Sequence, residues 1–224
     1  MSEHVHIHAP EDLVRAQRPI SGKERVYELF AAILLSLATV GIAWSGYQAA
    51  RWSGVQSRNY ALASTARSEA NRASVTASQD RLQDLLNFNR WLEVSTQGNQ
   101  PLADLYERRF RAEFRPAFEA WQAQDPVHNP NAVASPLNVP QYQLAQAKKS
   151  DDLERLGARR FEQGKQATEH TDAYVFTTVF FAAVLFFAGI STRFDWLKVR
   201  VGVLAFATVG IAYAAFRLFT LPKY

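Results

Sequence analysis

The segment LFAAILLSLATVGIAWSGYQAA, residues 29–50, decides the fold. It holds no charged side chain over 22 positions, from Glu28 to Arg51. At about 1.5 Å per residue in a helix, that run covers the hydrocarbon thickness of a bilayer. Two more charge-free runs follow, 20 residues between Asp172 and Arg193 and 16 between Arg200 and Arg217. The last reaches spanning length if Arg217 extends its guanidinium to the headgroups. The mean hydropathy of −0.20 averages these runs with a polar middle, so it conceals the class. The expected fold is an all-α integral membrane protein with three transmembrane helices. Two of them extend into a long antiparallel helical stalk with a folded-back tip helix.

The organisation expected from these runs is a cytoplasmic tail at 1–26, a first span at 27–50 and a periplasmic stalk and tip domain at 51–172. A second span at 173–192, a cytoplasmic link at 193–200, a third span at 201–219 and a tail at 220–224 complete it. Orientation follows from the flanking cations. Arg15, Arg18, Lys23 and Arg25 precede the first span, and Arg193, Lys198 and Arg200 join the second to the third, against Lys223 alone in the tail. The positive-inside rule then places the N-terminus in the cytoplasm of a bacterial inner membrane. Trp44, Tyr47 and Trp52 mark the outer interface, with Phe194 and Trp196 at the inner one. Ala43-Trp44-Ser45 resembles the small-x-small pattern ahead of a signal-peptidase cut, but 29–50 is expected to remain as an anchor.

Composition excludes several chemistries. The chain has no cysteine, hence no disulfide, thiolate nucleophile or cysteine-held metal. Residues 51–172 carry 16 Lys+Arg against 15 Asp+Glu, a balance that gives nucleic-acid binding no support. Arginine outnumbers lysine 19 to 6, which points to a GC-rich, bacterial genome. The stretch Gly157 to Lys165 has six residues between its glycines and Gln166 after its lysine, so it is no phosphate-binding loop. There is no nucleophile elbow and no His-Glu-x-x-His. No Asp, Glu, Lys, Arg or His lies mid-membrane in any span, which argues against a proton-coupled carrier or a voltage sensor. An enzyme is not expected, nor is a cofactor.

Between Val26 and Gln97 there is no proline, and the simplest reading is one helix stopped by Gly98-Asn99-Gln100-Pro101. Beyond the bilayer it would reach on the order of 70 Å. The return leg runs from about Gln141 to Ser191. Residues 101–124 form the tip helix, bent at Pro116, with Tyr106, Phe110, Phe114, Phe118 and Trp121 at spacings of four, four, four and three. This ridge either packs on the stalk or docks a protein partner at the periplasmic tip. The four prolines in 125–140 predict an extended loop.

The first helix carries a stripe of small residues, Ala32, Ser36, Thr39, Ala43, Gly46 and Ala50, continued by Ser53, Ser57, Ala61, Ser64 and Ser68. Small side chains let helix backbones approach in lipid, so the stripe reads as a packing face. It packs against the other two spans or against a second copy of the chain. Alternatively, the hydroxyls of Ser36, Thr39 and Ser45 line a narrow wet path in a homo-oligomer. His4, His6 and His8 alternate as metal ligands on an extended strand would, for zinc, nickel or copper.

The run Ala43 to Gly54, the alternating histidines, Phe114 to Trp121 and Phe187 to Ser191 resemble a group of three-span bacterial membrane proteins that carry no assigned activity. The resemblance implies architecture and bacterial origin, and it transfers no site residue. Three functions are compatible with these readings: a homo-oligomeric scaffold or signal-coupled interaction module, a pore-forming channel subunit, and an accessory subunit of a membrane enzyme complex.

Overall fold

The computed structural model describes residues 22–194 and 196–224, and the described residues fold entirely into helices, turns and loops. Helix α1 spans Gly22–Thr96, α2 Gln100–Arg108, α3 Arg115–Gln122, α4 Ala145–Ser191 and α5 Leu197–Thr220, with a 3-10 turn at Pro136–Asn138. Three of these, α1, α4 and α5, contain stretches long and apolar enough to cross a membrane. The chain divides into two compact units. One combines residues up to Gly54 with Ala167–Tyr224, and the other is Val55–Gln166.

In the first unit the core is built from Ala31, Leu34 and Ala38 of α1, Phe181, Val184 and Ala188 of α4, and Leu204, Ala207 and Ala214 of α5. Small residues set the separations. A methyl group added to Gly41 would stand 2.5 Å from the Phe181 ring, and one on Gly210 would stand 3.1 Å from Val184. The Phe181 ring thus occupies the space that glycine leaves on α1. Helix α5 begins at Leu197, so 197–200, expected in the link, form its first turn.

In the second unit Ala63, Ala66, Ala70, Ala73 and Ala77 form a buried alanine seam on α1. Helix α4 meets it with Ser150, Gly157 and Gly164 at intervals of seven, the coiled-coil repeat. Ser150 donates its hydroxyl to the Ala70 carbonyl at 3.0 Å. A Cβ on Gly157 would lie 3.7 Å from that of Ala66, and one on Gly164 would press into the Tyr60 ring at 2.7 Å. These pairings run in opposite order along the two helices.

Helix α1 ends where the sequence says it must. Gly98 turns left-handed at φ 76°, and the Asn99 N–H donates to the Val94 carbonyl at 3.1 Å. Asn99 then caps α2 through its side chain, which accepts from Leu102 N. The single bent tip helix is corrected. Pro116 has no N–H for the Ala112 carbonyl and its ring clashes with it, so no helix runs unbroken through 112–116; α2 stops at Arg108, and Pro116 stands in the first turn of α3. The return helix starts at Ala145, after a non-helical 141–144.

Around this break Phe110, Phe114, Phe118 and Trp121 pack with Phe88 and Trp91 of α1, Ala103, Ala117 and Val139. Ring pairs meet edge to face, Trp91 on Phe118 at 4.7 Å and Phe88 on Trp121 at 5.1 Å. The proline-rich loop is tied to this core by the Trp121 indole N–H, which donates to the Val133 carbonyl at 2.8 Å.

Gly41→Val forces the Phe181 ring out of its place and is expected to destabilise the first unit by about 1–3 kcal/mol. Gly202→Val, facing open space, leaves the melting temperature unchanged. Thermal unfolding in detergent distinguishes the two, and equal melting temperatures would contradict this packing.

Candidate functional site

Ala32, Ser36, Thr39, Ala43, Gly46 and Ala50 are all exposed. The face of α1 that packs within the chain is instead Ala31, Leu34, Ala38, Gly41, Ser45 and Gln48, every one buried. At about 100° per residue the two faces lie roughly 150° apart. The expectation that the stripe packs on the second and third spans is therefore overturned. The packing helices need one hole for Phe181 rather than an unbroken small surface, and Gly41 supplies it. In the Val55–Gln166 unit the same division holds, with Ser57, Ala61, Ser64 and Ser68 exposed beside the buried alanine seam.

The hydroxyls on the exposed face are internally engaged. Ser36 Oγ donates to the Ala32 carbonyl at 2.9 Å and Thr39 Oγ1 to Leu35 at 2.8 Å. Such back-bonding satisfies a hydroxyl that faces an apolar medium. A methyl group on Gly46 would meet nothing within 4 Å.

The aromatic ridge is not a docking surface. Phe110, Phe114, Phe118 and Trp121 are at most 5% exposed and Tyr106 is half-buried. Docking through them is corrected because the break before Pro116 folds their rings inward. His4, His6 and His8 lie outside the described residues. Among the described residues, no three His, Asp or Glu side chains stand close enough to hold a metal ion.

Two constellations escaped sequence reasoning. The first lies in Val55–Gln166, where Asp84, 1% exposed, sits on the buried side of α1. Its Oδ2 accepts from Arg111 at 2.9 Å and from the Tyr142 hydroxyl at 3.0 Å. Arg111 also reaches Asp80 at 3.0 Å and Glu113 at 2.6 Å, and Glu113 accepts from Ala145 N. Burial pushes the Asp84 carboxyl above its ordinary value, although the Tyr142 hydroxyl and Arg111 favour its charge. Burial and the neighbouring Asp84 likewise raise Tyr142. Partial desolvation opposes the charge of Arg111, but the three carboxylates outweigh it and hold its proton more firmly than usual. Asp80 and Asp84, which continue the alternating steps of three and four of the alanine seam, were the available signal.

The second belongs to the spanning unit, where the segment 221–224 is fastened to α1 and α4. Gln48, 1% exposed, accepts from Tyr224 N at 3.1 Å, and the Pro222 carbonyl accepts from Trp52 Nε1 and the Tyr174 hydroxyl. The Trp52 ring lies 4.6 Å from the His170 ring, tilted by 60°, and the Arg51 guanidinium lies 4.1 Å over the Tyr224 ring. This cluster positions chain and offers no nucleophile with an adjacent base.

Three helices long and apolar enough to span a bilayer, with no catalytic constellation among the described residues, define the class as an all-α membrane protein. No family model, curated protein or solved structure matches the chain.

Arg111→Met strands Asp84 as a buried charge and is expected to cost on the order of 3 kcal/mol. Amide hydrogen exchange across α2 and α3 reads the loss. The raised pKa of Asp84 gives the sign of its pH dependence: its contribution is greatest in acid and falls as pH rises, so acidification relieves part of the variant's defect. Tyr142 acts in the alkaline range, where its contribution is complete below its ordinary value near 10 and is lost above it. Wild type should thus lose more stability than Tyr142→Phe as pH climbs past about 10, and parallel profiles would contradict the network.

Proposed function

We propose that the protein is a homo-oligomeric scaffold of a bacterial inner membrane, or a signal-coupled interaction module, that associates through the outward small-residue face of α1. The observation that carries this reading is the exposure of Ala32, Ser36, Thr39, Ala43, Gly46 and Ala50 within a spanning stretch. In lipid, where apolar transfer provides no drive, helices associate where small residues permit close dispersion contact. A face of this kind left unfilled by the chain's own helices suits a second copy. Val75, Leu82 and Leu86, each more than half exposed on α1 in the Val55–Gln166 unit, add an apolar surface at spacings of seven and four.

In this reading the N-terminus is cytoplasmic, and 51–172 is a periplasmic antiparallel stalk with a folded-back tip. That domain presents its outer surface, rather than its buried aromatic rings, to a protein partner. The back-bonded hydroxyls of Ser36 and Thr39 favour helix contact over a wet path, because their donors are already used.

Native mass spectrometry of the protein in nanodiscs tests the proposal. Wild type is expected as a closed oligomer, and Gly46→Leu as a monomer that keeps its helical fold by circular dichroism, since a Cβ on Gly46 meets nothing in its own chain. An oligomer that survives Gly46→Leu, or a wild-type monomer, sinks the reading. Ion flux in vesicles that Ser36→Leu abolishes would transfer the assignment to a channel.

A further inference from the structure

Helices α4 and α5 leave an apolar groove of about 350 Å³ between them, lined chiefly by Phe180, Val184, Phe187, Phe206, Gly210 and Tyr213. It lies wholly within the two spanning stretches, so acyl chains are the molecules that surround it. Its lining is almost entirely carbon, and the Phe180 and Tyr213 rings, 4.9 Å apart, stand at one end. One helical turn beyond Tyr213, on the same face as Phe206, Gly210 and Tyr213, comes Arg217.

Arg217 lacks a counter-charge. Its Nε is buried without a hydrogen-bond partner, and it forms no ion pair among the described residues. No acidic residue occurs anywhere from 196 to 224, whereas Lys223 adds a second positive charge nearby in sequence. A guanidinium at the membrane surface that lacks a protein carboxylate is complementary to a phosphate, which accepts from its fork of donors. Arg217 lies about 12 Å along the helix from the groove's centre, the depth at which a glycerophospholipid places its phosphodiester when its chain lies between the helices.

We propose that this groove is a binding site for one anionic glycerophospholipid, with an acyl chain along Phe180, Phe187 and Phe206 and the phosphodiester on the Arg217 guanidinium. The site is independent of the small-residue face of α1. An excess of cations over acids at this end of α5 selects a lipid with net negative charge over a zwitterionic one.

The test is native mass spectrometry of the full chain released from bilayers of equal phosphatidylglycerol and phosphatidylcholine. Wild type is expected to retain one phosphatidylglycerol per chain. Arg217→Gln should bind it about tenfold more weakly, the loss of one charge-assisted contact, and Arg217→Lys should restore most of the difference. Ala183→Trp, which fills the groove from the side, should expel the lipid while Arg217 remains. Equal retention by wild type and Arg217→Gln, or adducts of both lipids in bulk proportion, would overturn the proposal. Release by millimolar inorganic phosphate would mean that only the anion is recognised, and would also overturn it. Loss of oligomers in Ala183→Trp with no lipid on wild type would give the groove to a second copy.

Discussion

The structure depends on helices approaching closely through small side chains. In the spanning unit this constraint is most severe at Gly41, whose missing side chain is the space taken by Phe181, a ring that is itself 3% exposed. Between helices in lipid, the gain comes from dispersion and shape rather than release of water, so it collapses quickly as the backbones separate. The Val55–Gln166 unit uses the same geometry. There Ala63, Ala66, Ala70, Ala73 and Ala77 face Ser150, Gly157 and Gly164, and a serine hydroxyl bonds directly to the opposing backbone. Such a contact is possible only where no larger side chain holds the helices apart.

Where the alanine seam ends, the packing changes character. Asp84, Phe88 and Trp91 take over the buried side of α1, and the segments beyond α1 fold around them. Large rings meeting edge to face fill the wider space left between α2, α3 and the loop. Asp84 holds this arrangement in one orientation, because Arg111 and Tyr142 approach it from separate stretches of chain and each satisfies the same carboxylate. A buried charge is costly unless paired, so the cluster penalises any rearrangement that parts its members. Arg111 reaches Asp84 from the break at 109–114, and Pro116, which cannot bond the Ala112 carbonyl, keeps the helix from running through.

The functional reading rests on surfaces rather than reactive groups. Helix α1 divides into an inner face consumed by its own chain and an outer face, equally small, that is not. The spanning unit has a second vacancy between α4 and α5, with an arginine one turn beyond it that no acid among the described residues neutralises. The two differ in chemistry. One is a stripe of small side chains suited to another helix, and the other a concave apolar surface with a cation near its end, suited to a lipid.

Much of this was legible from residue order alone. The charge-free runs fix three helices able to span a membrane because a single segment of that length satisfies every backbone donor and acceptor within itself only as a helix. Gly98 and Pro101 mark the end of α1 and the start of α2 through local backbone chemistry, with no help from distant contacts. The alternation of small residues announced close packing. It could not say which face of α1 packs, because Ala31, Ala38, Gly41 and Ser45 on one side are as small as Ala32, Ser36, Ala43 and Gly46 on the other. That choice belongs to the tertiary structure, which seats the Phe181 ring against Gly41. The inward turn of Phe110 and Phe114 and the meeting of Asp84 with Arg111 and Tyr142 were likewise decided in three dimensions. They join residues 27 and 58 positions apart, and no local periodicity encodes a contact at that distance.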